Sequence, residues 1–258
     1  MRIYVLSDLH NEFEKFVPPL SVDQFDVVLL AGDIDLGTRG IEWAAKEFER
    51  IPIVYVPGNH EFYSPDGRSF QEITDEMQDL ARSYGVELLN PGVAEVGGWR
   101  FIGATLWSDF DLYGEDERAV SMDCARRGLN DFRLIWTEQH DRTKRRFHPA
   151  DARDRHLKER EYLFAEIQKG DPARTVVVTH FVPTSQAIEK RFQGDILSPA
   201  FVTDLDDEIS NSGIAAWVFG HIHSCWNFRL GRTQMISNQR GYPNEGVKGF
   251  DPGLVIKL

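Results

Sequence analysis

Five short apolar runs in this chain each lead into side chains able to ligate a metal. Asp8 and His10 follow Ile3–Leu6, and Asp33 follows Val27–Leu30 through Ala31-Gly32. Asn59 and His60 follow Ile53–Val56 through Pro57-Gly58, His180 follows Thr175–Thr179, and His221 and His223 follow Val218-Phe219-Gly220. Short, continuously apolar runs, mostly rich in Val and Ile, read as strands covered on both faces, as in a helix-flanked sheet. Ligands of open α/β sheets bind outside the carboxyl ends of the strands, so these side chains are expected to converge. Each one alone has an ordinary explanation: Asp8 as a turn or cap residue, Gly32-Asp33 and Gly58-Asn59-His60 as turns, His180 as a satisfied strand-end histidine. Eight such residues on five strand ends do not. The spacing within Asp8-Leu9-His10 and His221-Ile222-His223 adds to this, because residues two apart in extended chain face the same side.

The remaining sequence fits a layered α/β fold. Residues 38–50 place Ile41, Ala44, Ala45 and Phe48 at helical spacing, and residues 66–83 do the same with Phe70, Ile73, Met77 and Leu80. Strand and helix alternate through the first 85 residues, as in βαβ units. Two hairpins are expected, Val93–Val96 with Trp99–Ala104 and Trp226–Leu230 with Thr233–Ile236, and Leu254–Lys257 can add a last strand. Residues 111–169 are highly charged and read as one long helical excursion broken near His148-Pro149. Their basic stretch at 142–160 is either a solvated face or a basic lid over an anionic substrate. The expected organisation is a single domain over 1–258 with this charged insert at about 111–169.

Charge and cysteine content narrow the partners. With 41 acidic and 29 basic residues the net charge is −12, which disfavours binding of duplex nucleic acid by phosphate neutralisation. Cys124 and Cys225 are too few for a disulfide framework or a cysteine-rich zinc site and fit a reducing cytoplasm. No apolar run approaches the ~18 residues of a spanning helix, and the N-terminus turns polar too soon for a signal peptide. A cytoplasmic protein without a membrane partner is expected. Oligomeric state leaves no trace in the sequence.

The ligand types select the metal chemistry. Carboxylate, imidazole and one amide oxygen, without thiolate, suit Mn, Fe, Zn or Co. So many ligands exceed the needs of one ion and point to two, with a carboxylate bridging ions ~3.5–4 Å apart. A hydroxide between them would be a nucleophile at neutral pH, and phosphate esters are its natural substrates.

These residues in this order resemble the calcineurin-like metallophosphoesterase superfamily, whose pattern is D-x-H, G-D, G-N-H-[DE], a lone H, and G-H-x-H. They stand here as Asp8-Leu9-His10, Gly32-Asp33, Gly58-Asn59-His60-Glu61, His180 and Gly220-His221-Ile222-His223. The resemblance implies a four-layer α/β/β/α sandwich with two mixed β-sheets flanked by helices. It implies two divalent ions, manganese favoured, one held by Asp8, His10 and His223 and the other by Asn59, His180 and His221, with Asp33 bridging. His60 would serve as general acid or stabilise phosphoryl charge, kept protonated by Asp35 or Glu61.

Departures from the pattern bear on substrate. Protein Ser/Thr phosphatases of the superfamily carry G-D-x-V-D-R-G, whereas this chain has Gly32-Asp33-Ile34-Asp35-Leu36-Gly37, without the arginine and with the second aspartate one position early. Nor is a long basic C-terminal domain expected. The chain looks closer to compact phosphoesterases and phosphodiesterases acting on small phosphorylated substrates. The competing readings are a nuclease for short or single-stranded nucleic acid and a scaffold that has lost catalysis. Phe13, Phe62, Tyr63, Trp107 and Phe181, near the motifs, are expected to pack the rim rather than stack on bases.

Overall fold

The computed structural model describes residues 1–258. In chain order the elements are β1 (Arg2–Leu6), β2 (Val27–Ala31), α1 (Arg39–Glu47), β3 (Ile53–Val56), α2 (Phe70–Tyr84), β4 (Glu87–Leu88), β5 (Gly92–Val96) and β6 (Trp99–Ala104). There follow α3 (Glu115–Gly128), α4 (Asp131–Leu134), β7 (Trp136–Glu138), β8 (Lys144–Arg146), α5 (Pro149–Ile167), β9 (Thr175–Thr179), α6 (Asp206–Ser212), β10 (Ala216–Val218), β11 (Trp226–Leu230), β12 (Thr233–Ser237) and β13 (Val255–Lys257).

Two mixed sheets result. The first runs β13-β1-β2-β3-β4, with β1 to β4 parallel and β13 antiparallel to β1. The second runs β11-β12-β10-β9-β6-β5, parallel in its middle and antiparallel at both edges, where the two expected hairpins lie.

Alternation along each strand builds the layers. Ile3, Val5, Val27, Leu29, Val54 and Val56 turn from the first sheet toward Phe101, Val176, Val178, Val218 and Ile236 of the second. Their alternates Tyr4, Leu6, Val28, Leu30 and Tyr55 face outward and pack with Ile41 and Ala44 of α1 and Ile73 and Met77 of α2. On the far side, Ile102, Val177, Trp217 and Met235 meet Leu163 and Ile167 of α5 and Ile209 of α6. This is the expected α/β/β/α sandwich. Each fully buried Val, Ile or Leu contributes roughly 1.5–3 kcal/mol of transfer free energy.

Helix α2 begins at a capping box, Ser69 N donating to Glu72 Oε2 (2.7 Å) and Glu72 N to Ser69 Oγ (3.2 Å). It stops at Gly85, whose φ of 68° a side chain would resist.

Residues 111–169 differ from the single helical excursion expected of them. They form α3, the short α4, a β7–β8 hairpin and only then α5, which is capped by His148 and has Pro149 in its first turn. Nor do the basic residues of 142–160 form a lid. Arg145 is bound to Asp151 (2.6 and 2.7 Å), Arg146 lies over Trp136, Arg153 faces Asp111 and Arg160 pairs with Glu208. The guanidinium of Arg155 sits 3.4 Å from the centre of the Phe70 ring. With Lys144 paired to Glu72, acidic groups and aromatic faces of this chain meet six of the segment's eight basic side chains.

Helix α5 is locked to the loop after β6 by buried polar groups. Glu159 Oε2 accepts from Leu106 N (2.6 Å), and His156 Nδ1 pairs with Trp107 O (2.6 Å). Burial pushes the Glu159 carboxyl up to about 7, against the charge of Arg155 and the Leu106 N–H. Glu159→Leu leaves that N–H buried and unpaired and is predicted to cost about 1–3 kcal/mol in denaturant unfolding, most of it recovered in Glu159→Gln. A leucine variant as stable as the parent would contradict this anchoring role.

Candidate metal centre

The parallel strands of both sheets point their carboxyl ends at one edge of the sandwich, and the five motif segments meet there. Asp8 and His10 follow β1, Asp33 follows β2, Asn59 and His60 follow β3, His180 follows β9, and His221 and His223 follow β10. The segments are stitched across the sheets: Asp8 N donates to Gly32 O (3.0 Å), His10 N to Asp33 O (3.0 Å) and Gly220 N to His180 O (2.9 Å). His221 N donates to Asp8 Oδ1 (3.0 Å).

Backbone strain is concentrated in the same residues. Asp8, His10, Asp33, His221 and His223 all have left-handed φ, between 48° and 83°. A non-glycine residue there costs roughly 1–2 kcal/mol, and the cross-loop hydrogen bonds offset that cost while turning the side chains inward. Two motif glycines serve close approach. A Cβ on Gly58 would overlap Asp33 Oδ1 and crowd His180, and one on Gly220 would overlap Ser7 Oγ and crowd Asp8 Oδ2.

The centre itself is buried and crowded. Asp33 has Oδ1 3.4 Å from His180 Nε2 and Oδ2 3.9 Å from both His10 Nε2 and His60 Nε2. His10 Nε2 and His223 Nε2 lie 3.0 Å apart, with Asp8 Oδ1 3.6 Å from the latter. His180 Nε2 lies 3.0 Å from Asn59 Oδ1 and 3.1 Å from His221 Nδ1. Three ligand-sized groups stand out: Asp8, His10 and His223; His10, Asp33 and His60; and Asp33, His180 and His221.

Outer partners set the tautomers, and this tests whether metal ions fit. His180 Nδ1 faces Ala31 O (2.9 Å), His10 Nδ1 faces Glu12 Oε1 (3.1 Å) and His223 Nδ1 faces Glu245 Oε2 (2.6 Å). Each of those acceptors calls for the ring hydrogen, so Nε2 of each neutral ring is left with an inward lone pair. Asn59 Nδ2 donates to Asp131 Oδ1 (2.8 Å), which turns the amide oxygen inward as well. Lone pairs and carboxylate oxygens 3–4 Å apart, without donors between them, repel one another unless protons or cations intervene. The oxygen and imidazole set fits divalent ions of the Mn, Fe, Zn or Co type.

The charge distribution of the metal-free protein agrees. Burial lowers the His180 pKa, but the carboxylate of Asp33 outweighs it and raises the value to about 10. His60 likewise rises to about 9, with Asp33 and Glu12 overcoming burial. His221 falls well below its ordinary value through burial and the charge on His180.

Asp35 and Glu61, expected to hold His60 protonated, do not touch it. Asp35 pairs with Arg39 (2.9 Å). Glu61 is spent on the backbone, accepting from Asp33 N, Ile34 N and Gly58 N, and from the Tyr55 hydroxyl. The partner of His60 is Glu12, whose Oε1 lies 2.8 Å from His60 Nδ1 and serves His10 too. Burial works to raise the Glu12 pKa, but the two imidazoles bring it down to about 2. Glu12, Asp131 and Glu245 were not singled out in the sequence, and Tyr63, whose hydroxyl donates to Asp131 (2.6 Å), was expected only as rim packing; of these only Glu12, two residues after His10, carried a spacing signal.

Beside the cluster opens a cavity of about 450 Å³. Asp33, Asn59, His60, His221 and His223 line it on one side, and Leu129, Ile188, Phe192, Leu197 and Phe201 give it an apolar wall. Arg191 is its one lysine or arginine, against Glu189, Asp195 and Glu245. Of the aromatic residues expected at the rim, Phe62, Trp107 and Phe181 are core residues, Tyr63 is buried beside His60, and Phe13 is mostly exposed.

The fold has known counterparts. A phosphopantetheinyl hydrolase from Mycobacterium tuberculosis superposes with a TM-score of 0.74 at 20% identity, over 98% of this chain and 94% of that one. A dimetal phosphatase from Danio rerio gives 0.50 at 12% identity, over 92% and 87%. In sequence, protein L509 of Acanthamoeba polyphaga mimivirus is 26% identical over 279 residues, covering 98% of this chain and 95% of the viral protein. The model of the calcineurin-like phosphoesterase family matches residues 1–225, a span that takes in every one of the strand-end motifs. The chain therefore belongs to the calcineurin-like phosphoesterases and is a metal-dependent phosphoesterase.

Proposed function

We propose that the chain is a binuclear hydrolase of small phosphomonoesters or phosphodiesters. In this reading Asp8, His10 and His223 hold one divalent ion, Asn59, His180 and His221 hold the other, and Asp33 bridges. The observation that carries it is the placement of Asp33, one carboxylate oxygen toward His180 and the other toward His10. Bound there, two divalent ions supply Lewis acidity toward phosphoryl oxygens and lower the pKa of water. Manganese is favoured among the candidates.

The chain's own groups do the rest. His60, held by Glu12 through Nδ1, presents Nε2 to the cavity and acts as general acid toward the leaving oxygen. Asp131 keeps the Asn59 amide oriented, and Glu245 does the same for the His223 ring.

The cavity's chemistry supports a substrate whose organic part is neutral and partly apolar. An apolar wall favours burial of such a group, while a rim with three acids and one arginine repels polyanions. A nuclease reading is weakened, because six of the eight basic residues of 142–160 are engaged by acids or aromatic rings of this chain. The M. tuberculosis protein of the same fold is named for phosphopantetheinyl hydrolysis. A phosphodiester carrying a pantetheine arm, elongated and uncharged, meets these cavity requirements and heads the list of compounds to screen. The free cysteines Cys124 and Cys225 are consistent with a cytoplasmic setting, and we read residues 1–258 as one domain with an insert.

Asp33→Ala is predicted to abolish hydrolysis of p-nitrophenyl and bis-p-nitrophenyl phosphate and to reduce bound metal by mass spectrometry. Near-normal turnover would exclude the bridging role. Metal affinity is predicted to rise with pH. His180 is a proton carrier at neutral pH in the metal-free protein and must become neutral to ligate, so each binding event there expels a proton. Calorimetry in buffers of different ionisation enthalpy, between about pH 6 and 8, should show proton release and tightening affinity. An affinity independent of pH over that range would contradict it.

A further inference from the structure

Tyr242 lies beyond the residues matched by the family model, in the segment between β12 and β13. That segment is fastened to the centre at several points. Arg240 N donates to Ser7 O (3.1 Å) and Gly241 N to Asp8 O (3.0 Å). The buried Asn238 closes the base of the segment, its Nδ2 donating to Val5 O (2.8 Å) and Asp251 O (2.9 Å). Tyr242 N donates to Glu245 Oε2 (2.9 Å), the same oxygen that orients His223. The Tyr242 ring then lies against His10 and His223, with centroids 4.4 and 4.6 Å apart, and remains partly exposed where it lines the cavity.

The Tyr242 hydroxyl stands 3.2 Å from His60 Nε2 and has no carboxylate or carbonyl partner. Because Glu12 occupies Nδ1, Nε2 is the atom of His60 left to meet a substrate. A separation of 3.2 Å leaves room for one oxygen from the cavity to meet both Nε2 and the Tyr242 hydroxyl at hydrogen-bond distance.

We propose that Tyr242 is a catalytic residue, its hydroxyl donating a hydrogen bond to the ester oxygen that departs, alongside His60. This rests on the phosphoesterase site proposed above. In the step, the oxygen of water bonds to phosphorus as the ester P–O bond breaks, one water proton staying on the phosphate and the other passing to solvent, from which His60 regains the proton it gives. The departing oxygen takes its proton from His60, while Tyr242 keeps its own and contributes a hydrogen bond that strengthens as negative charge develops. Placed outside the family's motifs, this donor belongs to the chain's own C-terminal segment.

The test is Tyr242→Phe, which keeps the ring packed on His10 and His223, assayed with metal loaded on phosphate esters of rising leaving-group pKa. Loss of one hydrogen bond to a charged oxygen is expected to lower kcat by roughly 10- to 100-fold for alkyl esters. The loss should be several-fold smaller for p-nitrophenyl esters, with KM, metal content and Tm close to the parent. The Tyr242→Phe/His60→Ala double variant should lose less than the product of the single losses, because both groups serve one oxygen. Equal loss for good and poor leaving groups, an unchanged kcat throughout, or a fall in bound metal overturns the role of Tyr242 and leaves the phosphoesterase reading standing. A parent protein that binds two ions yet turns over no ester in the series overturns both.

Discussion

Mutual repulsion among convergent acceptors is the constraint on which this structure depends. Asp8, Asp33, Asn59 and four imidazoles aim oxygen or nitrogen lone pairs into one small volume, an arrangement with no purpose in a chain that only needed to fold. Holding it costs strain at five left-handed backbones. Two stacked sheets, with parallel strands ending at one edge, make that cost bearable, because short cross-loop hydrogen bonds fix each loop against its neighbour. Protons on His60 and His180 partly offset the repulsion in the metal-free protein, and divalent ions would do so more completely.

Around this centre a second set of groups acts only through orientation. Ala31 O, Glu12 and Glu245 select the tautomers of His180, His10 and His223, and Asp131 selects the rotamer of Asn59. Glu12 joins His10 of the cluster to His60, so in the proposed mechanism a metal ligand and the general acid would share one carboxylate. Glu245 similarly couples His223 to Tyr242. The cavity, in contrast, is built from the short helices and loops after β9 and from the α3–α4 junction, elements outside the sheets. The side-chain cluster and the cavity beside it are thus built from different parts of the chain.

That division explains what could be read from the amino acids alone. The strand-end motifs were legible because an apolar strand and a polar side chain lie close together in sequence, with a glycine between them in three of the five, and five such units imply their own meeting point. The two sheets and both hairpins were legible for the same local reason. Asp131 was not, since it reaches Asn59 across 72 positions with no pattern linking them. Asp35 and Glu61 were poor choices for the partner of His60 because adjacency in sequence says nothing about which way a turn points. Here Glu61 turns inward to satisfy three backbone N–H groups. For the basic stretch at 142–160 the sequence left a solvated face and a lid open, because the acids and aromatic rings that meet most of its charge are brought to it only by the folded chain.

The most direct measurement is anomalous diffraction from crystals of the chain grown with manganese. The account predicts two peaks about 3.5–4 Å apart, the spacing of a bridged metal pair. One should touch Asp8, His10 and His223, the other Asn59, His180 and His221, with Asp33 between them. A single peak, or paired density away from Asp33, would contradict it.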